Sequence, residues 1–192
     1  MRTLLKFFGV ILLSVAIFSG CNENTSETSP VSSDQGALLK GGKVIESVTG
    51  SGNFVSGGTL RVFTFNAKRY ADGSVDGHYN LNRTQGGAHY SGTITCFTIN
   101  GNEAYFVGVI DNSNVDEPDL GVGAHSWWAV RDNGQGKNSP ADQITFTLNS
   151  ADPIDDAFFD QFCEYGTTEA PEDNPINYGW NDVEAGNIVI HN

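Results

Sequence analysis

Oxygen-bearing side chains gather in one glycine-rich stretch, residues 132–136, where Asp132 and Asn133 precede Gly134 and Asp142 follows soon after. Calcium takes roughly six to eight oxygen ligands and often draws them from Asp, Asn and backbone carbonyls in such turns. The stretch lacks the spacing and the terminal Glu of an EF-hand loop. Asp and Asn also hydrogen-bond their own backbone in tight turns. The pattern therefore predicts either a calcium site at Asp132, Asn133 and Asp142 or a self-bonded turn.

Aromatic residues and a histidine form a second candidate group, at His125, Trp127 and Trp128. Successive strand residues point to opposite faces, so we expect one indole in the core and the other more exposed. An exposed Trp beside a His is suited to stacking on a sugar or another small ligand. The alternative is that both indoles are packing residues on either side of a sheet.

Catalytic chemistry would have to come from His78, His89 and His125 together with the many carboxylates. The sequence contains no Gly-x-Ser-x-Gly, His-Glu-x-x-His or phosphate-binding loop, which are the motifs that position such groups. We therefore expect that the protein is not an enzyme, with a hydrolase as the remaining alternative. Apart from calcium, the residues suggest no cofactor.

The chain has three cysteines, Cys21, Cys96 and Cys163. If Cys21 is modified, Cys96 and Cys163 remain as an even pair, which outside the cytoplasm favours a disulfide. The alternative is two buried free thiols. The spacing fits no zinc motif.

The N-terminus has the features of an export signal. Arg2 and Lys6 precede an apolar run at residues 7–18, which is shorter than the roughly 20 residues that span a bilayer. The run ends in Phe18-Ser19-Gly20-Cys21 and resembles the lipobox of bacterial lipoproteins, although that pattern prefers an aliphatic residue where Phe18 stands. The resemblance implies a signal peptide at 1–20, lipidation of Cys21 and a cell-envelope location, at the outer membrane or cell surface.

Residues 21–42 are rich in Ser, Thr, Glu and Asn and lack apolar periodicity, which indicates a flexible tether before a single domain at 43–192. The net charge is −13, and removal of the two positive charges of Arg2 and Lys6 shifts it to −15. Such an acidic chain is unsuited to nucleic acid or to anionic lipid headgroups. The expected membrane partner is therefore the lipid anchor alone, and the ligand or protein partner is not specified.

The elements that would position these residues are strands. Alternating or wholly apolar runs bounded by turn residues predict about eight strands, mostly antiparallel neighbours. Asp72-Gly73 and Asn100-Gly101 are hairpin turn signals, and the alternation slips near Cys96, which predicts a bulge. A short helix is expected near 152–162. The strands are predicted at 43–48, 60–67, 74–81, 89–99, 103–110, 126–130, 144–148 and 187–191.

These elements predict an all-β domain, a meander-type barrel or alternatively a two-sheet sandwich. The order of its motifs, from Val48-Thr49-Gly50-Ser51-Gly52 through residues 61–67, 72–77, 92–96, 101–104 and 130–136 to Asp142-Gln143-Ile144, resembles a group of small exported bacterial β domains without assigned function. The resemblance implies no activity and carries over no site residues. The expected function is a non-catalytic envelope module that binds or supports a partner, with a Trp-based small-ligand or glycan binder as the alternative.

Overall fold

The computed structural model describes residues 42–152, 156–166 and 174–192. They form one curled half-barrel sheet in which β10 leads to β1, the strands follow in sequence order to β7, and β9 ends the path, while β8 pairs with β6. The predicted signal peptide, Cys21 and the tether up to residue 41 lie outside the described residues. The strands are β1 Val44–Ser56, β2 Thr59–Tyr70, β3 Val75–Arg83, β4 Ala88–Asn100, β5 Glu103–Ser113, β6 His125–Arg131, β7 Gln143–Thr145, β8 Leu148–Ser150, β9 Trp180–Asp182 and β10 Ala185–His191.

The all-β prediction is confirmed, and every strand pair is antiparallel. Both predicted hairpins are present: Asp72 and Gly73 lie between β2 and β3, and Asn100 opposes Glu103 across the β4–β5 turn. The predicted bulge is also present, as a register shift between Ile94 and Cys96. Because all described strands belong to one sheet, the two-sheet sandwich is not formed.

The described residues form ten strands, where about eight were predicted. The expected strand at 144–148 divides into β7 and β8, which pair separately with β6. Strand β9 lies in an acidic stretch without strand periodicity and is held by pairing with β7, a contact between residues far apart in sequence. The predicted helix forms as α1, Asp156–Tyr165, somewhat later than expected.

The concave side of the sheet holds the main core. Phe63, Phe65 and Ala67 on β2 share this face, as their period of two predicts. The Tyr79 ring lies across two neighbouring strands, where a Cβ on Gly92 or Gly108 would come within 2.7 Å of it. Glycine at these positions therefore makes room for a large ring inside a tightly curled sheet.

The convex side carries a second, smaller core beneath α1. Strand β5 contributes Tyr105 and Val107 to it, while Phe106 between them faces the main core. Phe162 of the helix packs edge-on against Tyr105, with ring centroids 5.9 Å apart. The structure also pairs Cys163 of the helix with Cys96 of β4 in a disulfide bridge, with Cα atoms 5.8 Å apart. The apolar residues on both faces of β5 thus serve a core on one side and a helical cover on the other.

Across the described residues, no helix has the length and apolar character needed to cross a membrane.

Candidate functional site

The two aspartates predicted as calcium ligands lie where the two ends of the sheet meet. Asp142 is buried; its Oδ2 accepts a hydrogen bond from Ile188 N of β10 at 2.7 Å and its Oδ1 accepts one from Asn133 N at 2.9 Å. Asp132 Oδ2 accepts from Ile190 N at 3.1 Å, and its Oδ1 accepts from Gly134 N at 2.8 Å. The carboxylates take the place of a neighbouring strand along the outer edge of β10.

The rest of this loop strengthens the same junction. We use the name seam for the junction that Asp132, Asp142 and Gln135 form with β10. Gln135 Nε2 donates to Ile188 O at 3.1 Å. Asn133 Nδ2 donates to Ala141 O at 2.6 Å, and so fastens the loop to itself. All four carboxylate oxygens of Asp132 and Asp142 accept hydrogen bonds from backbone N–H groups. Two of these bonds lie within the loop, as in a self-bonded turn, and the other two reach across to β10. Among the residues that the structure describes, no three His, Cys, Asp or Glu side chains come together as a metal-binding group.

Trp127 and Trp128 point to opposite faces, as expected, but both are buried. Trp128 is 3% exposed in the main core and stacks on Phe106, with ring centroids 5.0 Å apart. Trp127 is 5% exposed and lies under Phe158 of α1, with centroids 5.5 Å apart. The expectation of an exposed indole is therefore wrong, because α1 covers the convex face of β6. Stacking of a ligand on either ring would require displacement of a packed side chain.

The three histidines considered as catalytic candidates, His78, His89 and His125, occupy separate strands of the sheet. His78 is exposed on β3, and His89 of β4 bonds Asn82, with His89 Nδ1 2.5 Å from Asn82 Oδ1. His125 begins β6, and burial lowers its pKa. The three imidazoles lie on three different strands, β3, β4 and β6.

A feature that sequence reasoning missed begins on β2. The row of side chains that faces the core continues beyond its apolar residues to Arg61 at one end and Arg69 at the other. Each guanidinium lies over an aromatic ring: Arg61 is 4.6 Å from the centroid of Phe146, and Arg69 is 4.9 Å from that of Phe97. The two open ends of the half-barrel are therefore each lined by a stacked arginine.

The two arginines differ in their polar partners. Arg69 Nε donates to Glu46 Oε2 at 2.8 Å, and Arg69 Nη2 donates to the carbonyl of Phe97. Arg61 has no carboxylate within 4.0 Å among the described residues, and its Nε atom is buried without a hydrogen-bond partner. A buried donor left unpaired costs about 1–3 kcal/mol, so such a group calls for an explanation.

A second arginine stands directly opposite Arg61. Arg83 is its cross-strand partner on β3, and it too has no ion pair among the described residues. Like charges directly opposite one another in a sheet are unfavourable. Burial and the neighbouring Arg83 both lower the pKa of Arg61, with burial the larger cause. The other two arginines of the described residues, Arg69 and Arg131, are each paired with a glutamate.

The two unpaired arginines line a cavity of about 270 Å³, which we call the Arg61 cavity. Phe146, Leu120 and Leu148 supply apolar walls, while Glu117 and Asp119 are exposed and form the rim. The lining residues are Arg61, Arg83, Tyr90, Glu117, Asp119, Leu120, Phe146, Thr147, Leu148 and Asn149.

A chain of hydrogen-bonded polar side chains links Asn149, which lines the Arg61 cavity, to Tyr79 in the core. Tyr79 Oη donates to Ser126 Oγ at 2.9 Å, and Ser126 Oγ donates to Asn149 Oδ1 at 2.6 Å. Burial raises the pKa of Tyr90, while a hydrogen bond with Asn149 opposes that shift. Tyr90 is therefore a neutral hydroxyl at physiological pH, held by the same amide that holds Ser126.

A signal for this cavity is present in the sequence. Arg61 follows the same alternation as Phe63 and Phe65, and Arg83 follows that of Tyr79 and Leu81. Two arginines that continue the inward row of two adjacent strands predict charge at one end of a barrel. The walls from residues 117–120 and 146–149 come from distant loops and leave no comparable pattern.

A wider groove of about 520 Å³ lies at the Arg69 end, where Glu46, Thr98, Asp160, Cys163 and Glu164 join Arg69. Its arginine is already paired, and three of its residues are acidic. It therefore leaves fewer hydrogen-bond donors available to a ligand than the Arg61 cavity does.

No family model matches this chain, and no curated protein or solved structure matches it either.

Proposed function

We propose that this chain is a non-catalytic, lipid-anchored protein of the bacterial cell envelope, and that its half-barrel is a binding module. The observation that carries the binding role is the Arg61 cavity, where Arg61 and Arg83 face each other without carboxylate partners among the described residues. A buried guanidinium donor without an acceptor is costly, and a bound ligand would supply the acceptor that Arg61 Nε lacks.

The lining of this cavity supports a non-catalytic role. Its polar residues are arginines, a neutral tyrosine, an amide, a threonine and two exposed carboxylates. Neither His, Cys nor Ser lines it, so it lacks the usual nucleophile and base pair. A glycan binder that uses the Trp-bearing face is a weaker candidate, because Trp127 and Trp128 are both buried. A hydrolase is weaker still.

The anchor is proposed from the sequence around Cys21. Its test is metabolic labelling with palmitate in a bacterial host, followed by fractionation of the envelope. We expect label in the wild-type protein and none in Cys21→Ala, which should leave the membrane fraction. Label that persists in the variant, or wild-type protein without label, would contradict lipidation at this residue.

The binding role is tested by thermal melts of the processed protein with small acids, amino acids, envelope sugars and short cell-wall peptides. A ligand at about 100 times its Kd stabilises a protein by roughly 2.7 kcal/mol. We expect at least one class to raise the Tm in the wild type and to lose this effect in Arg61→Met. A hydrolysed panel compound, with turnover lost in a histidine variant, would contradict the non-catalytic assignment.

A further inference from the structure

We propose that the Arg61 cavity binds a small organic carboxylate with an apolar body, its carboxylate held between Arg61 and Arg83. This inference rests on the proposed binding function and names the ligand class for that site. Three features of the cavity carry it: the unpaired cationic floor, the apolar walls and the acidic rim.

The floor is suited to a carboxylate. Residues directly opposite in an antiparallel pair have Cβ atoms about 5 Å apart, so the guanidinium groups of Arg61 and Arg83 can meet one anion. Guanidinium groups bind the two oxygens of a carboxylate through paired N–H donors. A bound carboxylate would give the buried Nε of Arg61 its missing acceptor and offset the repulsion between the two arginines. Arg69, at the other end of the same row, already has this arrangement with Glu46.

The walls determine the rest of the ligand. Phe146 lies under the Arg61 guanidinium, and Leu120 and Leu148 line the same space. A volume of about 270 Å³ is at the small end for ligand sites, which suits a molecule with one ring or a short chain. Burial of an apolar body against these side chains supplies affinity, while the arginine pair supplies orientation.

The rim favours a singly charged anion over phosphate. Glu117 and Asp119 are exposed at the mouth, and Asp119 Oδ1 is held by Ala151 N at 2.9 Å. An anion with two negative charges would be repelled by these carboxylates as it enters. A monocarboxylate is repelled about half as strongly, and unlike phosphate it also gains from burial of its apolar body against the cavity walls.

The test measures thermal melts of the full chain in its processed form, purified in mild detergent. The probes are benzoate and hexanoate, their uncharged amides benzamide and hexanamide, and inorganic phosphate. We expect each carboxylate, at about 100 times its Kd, to raise the Tm by about 5 °C or more, and the amides and phosphate at the same concentration to raise it much less. The carboxylate effect should vanish in Arg61→Met and in Arg83→Met, and remain in Arg69→Met, the matched control at the other end of β2.

The proposal is overturned if the amides stabilise as well as the acids, if phosphate equals the carboxylates, or if neither acid moves the Tm. It is also overturned if Arg69→Met removes the effect as fully as Arg61→Met. The comparison of acid with amide needs no variant, so it decides the matter even if Arg61→Met does not fold. A sugar or peptide without a free carboxylate that stabilises through Arg61 would overturn only the ligand class. If no compound of the panel stabilises the protein, that result contradicts the proposed binding function as well.

Discussion

The side chain of Asp142 and the backbone of Ile188 join the two ends of the half-barrel, with Asp142 Oδ2 accepting from Ile188 N at 2.7 Å. The donor belongs to β10, at one end of the sheet order, and the acceptor directly precedes β7, near the other end. A curled sheet that does not close by strand pairing leaves backbone groups unbonded along its edges. Here a carboxylate, held in turn by Asn133 N, completes the bonding.

Asp142→Ala should therefore lower the free energy of unfolding by about 2–4 kcal/mol, because it leaves two backbone N–H groups of Asn133 and Ile188 without acceptors. Urea denaturation measures the loss. Asp76→Ala, which removes an exposed carboxylate on β3, is the control and should change stability by less than about 0.5 kcal/mol. Equal stabilities of the two variants would show that the seam does not depend on this carboxylate.

Calcium tests the other interpretation of the same loop. Since the four oxygens of Asp132 and Asp142 already accept backbone N–H groups, we expect the same Tm in EDTA and in millimolar calcium. A calcium-dependent rise that Asp132→Asn abolishes would instead establish the loop as a metal site. Differential scanning calorimetry provides the measurement.

The cross-link between Cys96 and Cys163 should hold α1 on the convex face. It encloses 67 residues of chain, for which loop-closure entropy predicts a contribution of about 4 kcal/mol. Reduction, or the variant Cys163→Ala, should lower the Tm and shift the intrinsic Trp fluorescence to longer wavelength as Phe158 moves away from Trp127. Cys21→Ala should have neither effect. An unchanged melt after complete reduction would mean that packing alone holds the helix.

Replacement of the arginines at the two ends of β2 by Met should have different effects on the free energy of unfolding. Arg69→Met removes an ion pair with Glu46 and should cost about 1 kcal/mol. Arg61→Met removes a buried unpaired donor and a like-charge contact with Arg83, so the ligand-free protein should be at least as stable as the wild type. Chemical denaturation of both variants checks this difference. A larger loss at Arg61 than at Arg69 would mean that Arg61 has a structural partner.

Alkaline pH should destabilise the domain through its buried tyrosines. Burial raises the pKa of both Tyr79 and Tyr90, so the folded state keeps them neutral while the unfolded chain loses their protons near pH 10. Their contribution to stability is complete below pH 10 and declines as pH rises above it, by at most about 1.4 kcal/mol per pH unit for each tyrosine. Urea denaturation at pH 8–11 measures the slope. Tyr79→Phe should reduce it, and an unchanged slope in that variant would refute the assignment.

Local patterns were sufficient for most of the fold. The period of two in Phe63, Phe65 and Ala67, and the hairpins at Asp72-Gly73 and Asn100-Gly101, depend on neighbours in sequence and were predicted correctly. The slip near Cys96 was predicted as a bulge because an interruption of alternation is itself a local signal. Strand β9 was not predicted, since three residues at Trp180–Asp182 become a strand only by pairing with β7.

The candidate site depended on contacts that sequence spacing does not encode. Asp132 and Asp142 were identified as residues with a role, but their partners Ile188 and Ile190 lie on the last strand, and only the curl of the sheet brings them together. One of the two indoles at Trp127 and Trp128 was expected to be exposed, because the helix that covers Trp127 lies much later in the chain.

By itself, the sequence determined the all-β class, the hairpins and the bulge near Cys96, because alternation and turn chemistry act over a few residues. Only the tertiary structure decided that Arg61 and Arg83 share one cavity with Phe146 and Leu120. The reason is physical: a half-barrel places the ends of its strands beside loops from distant parts of the chain. The charged and apolar residues that line the cavity therefore come together only when the sheet curls.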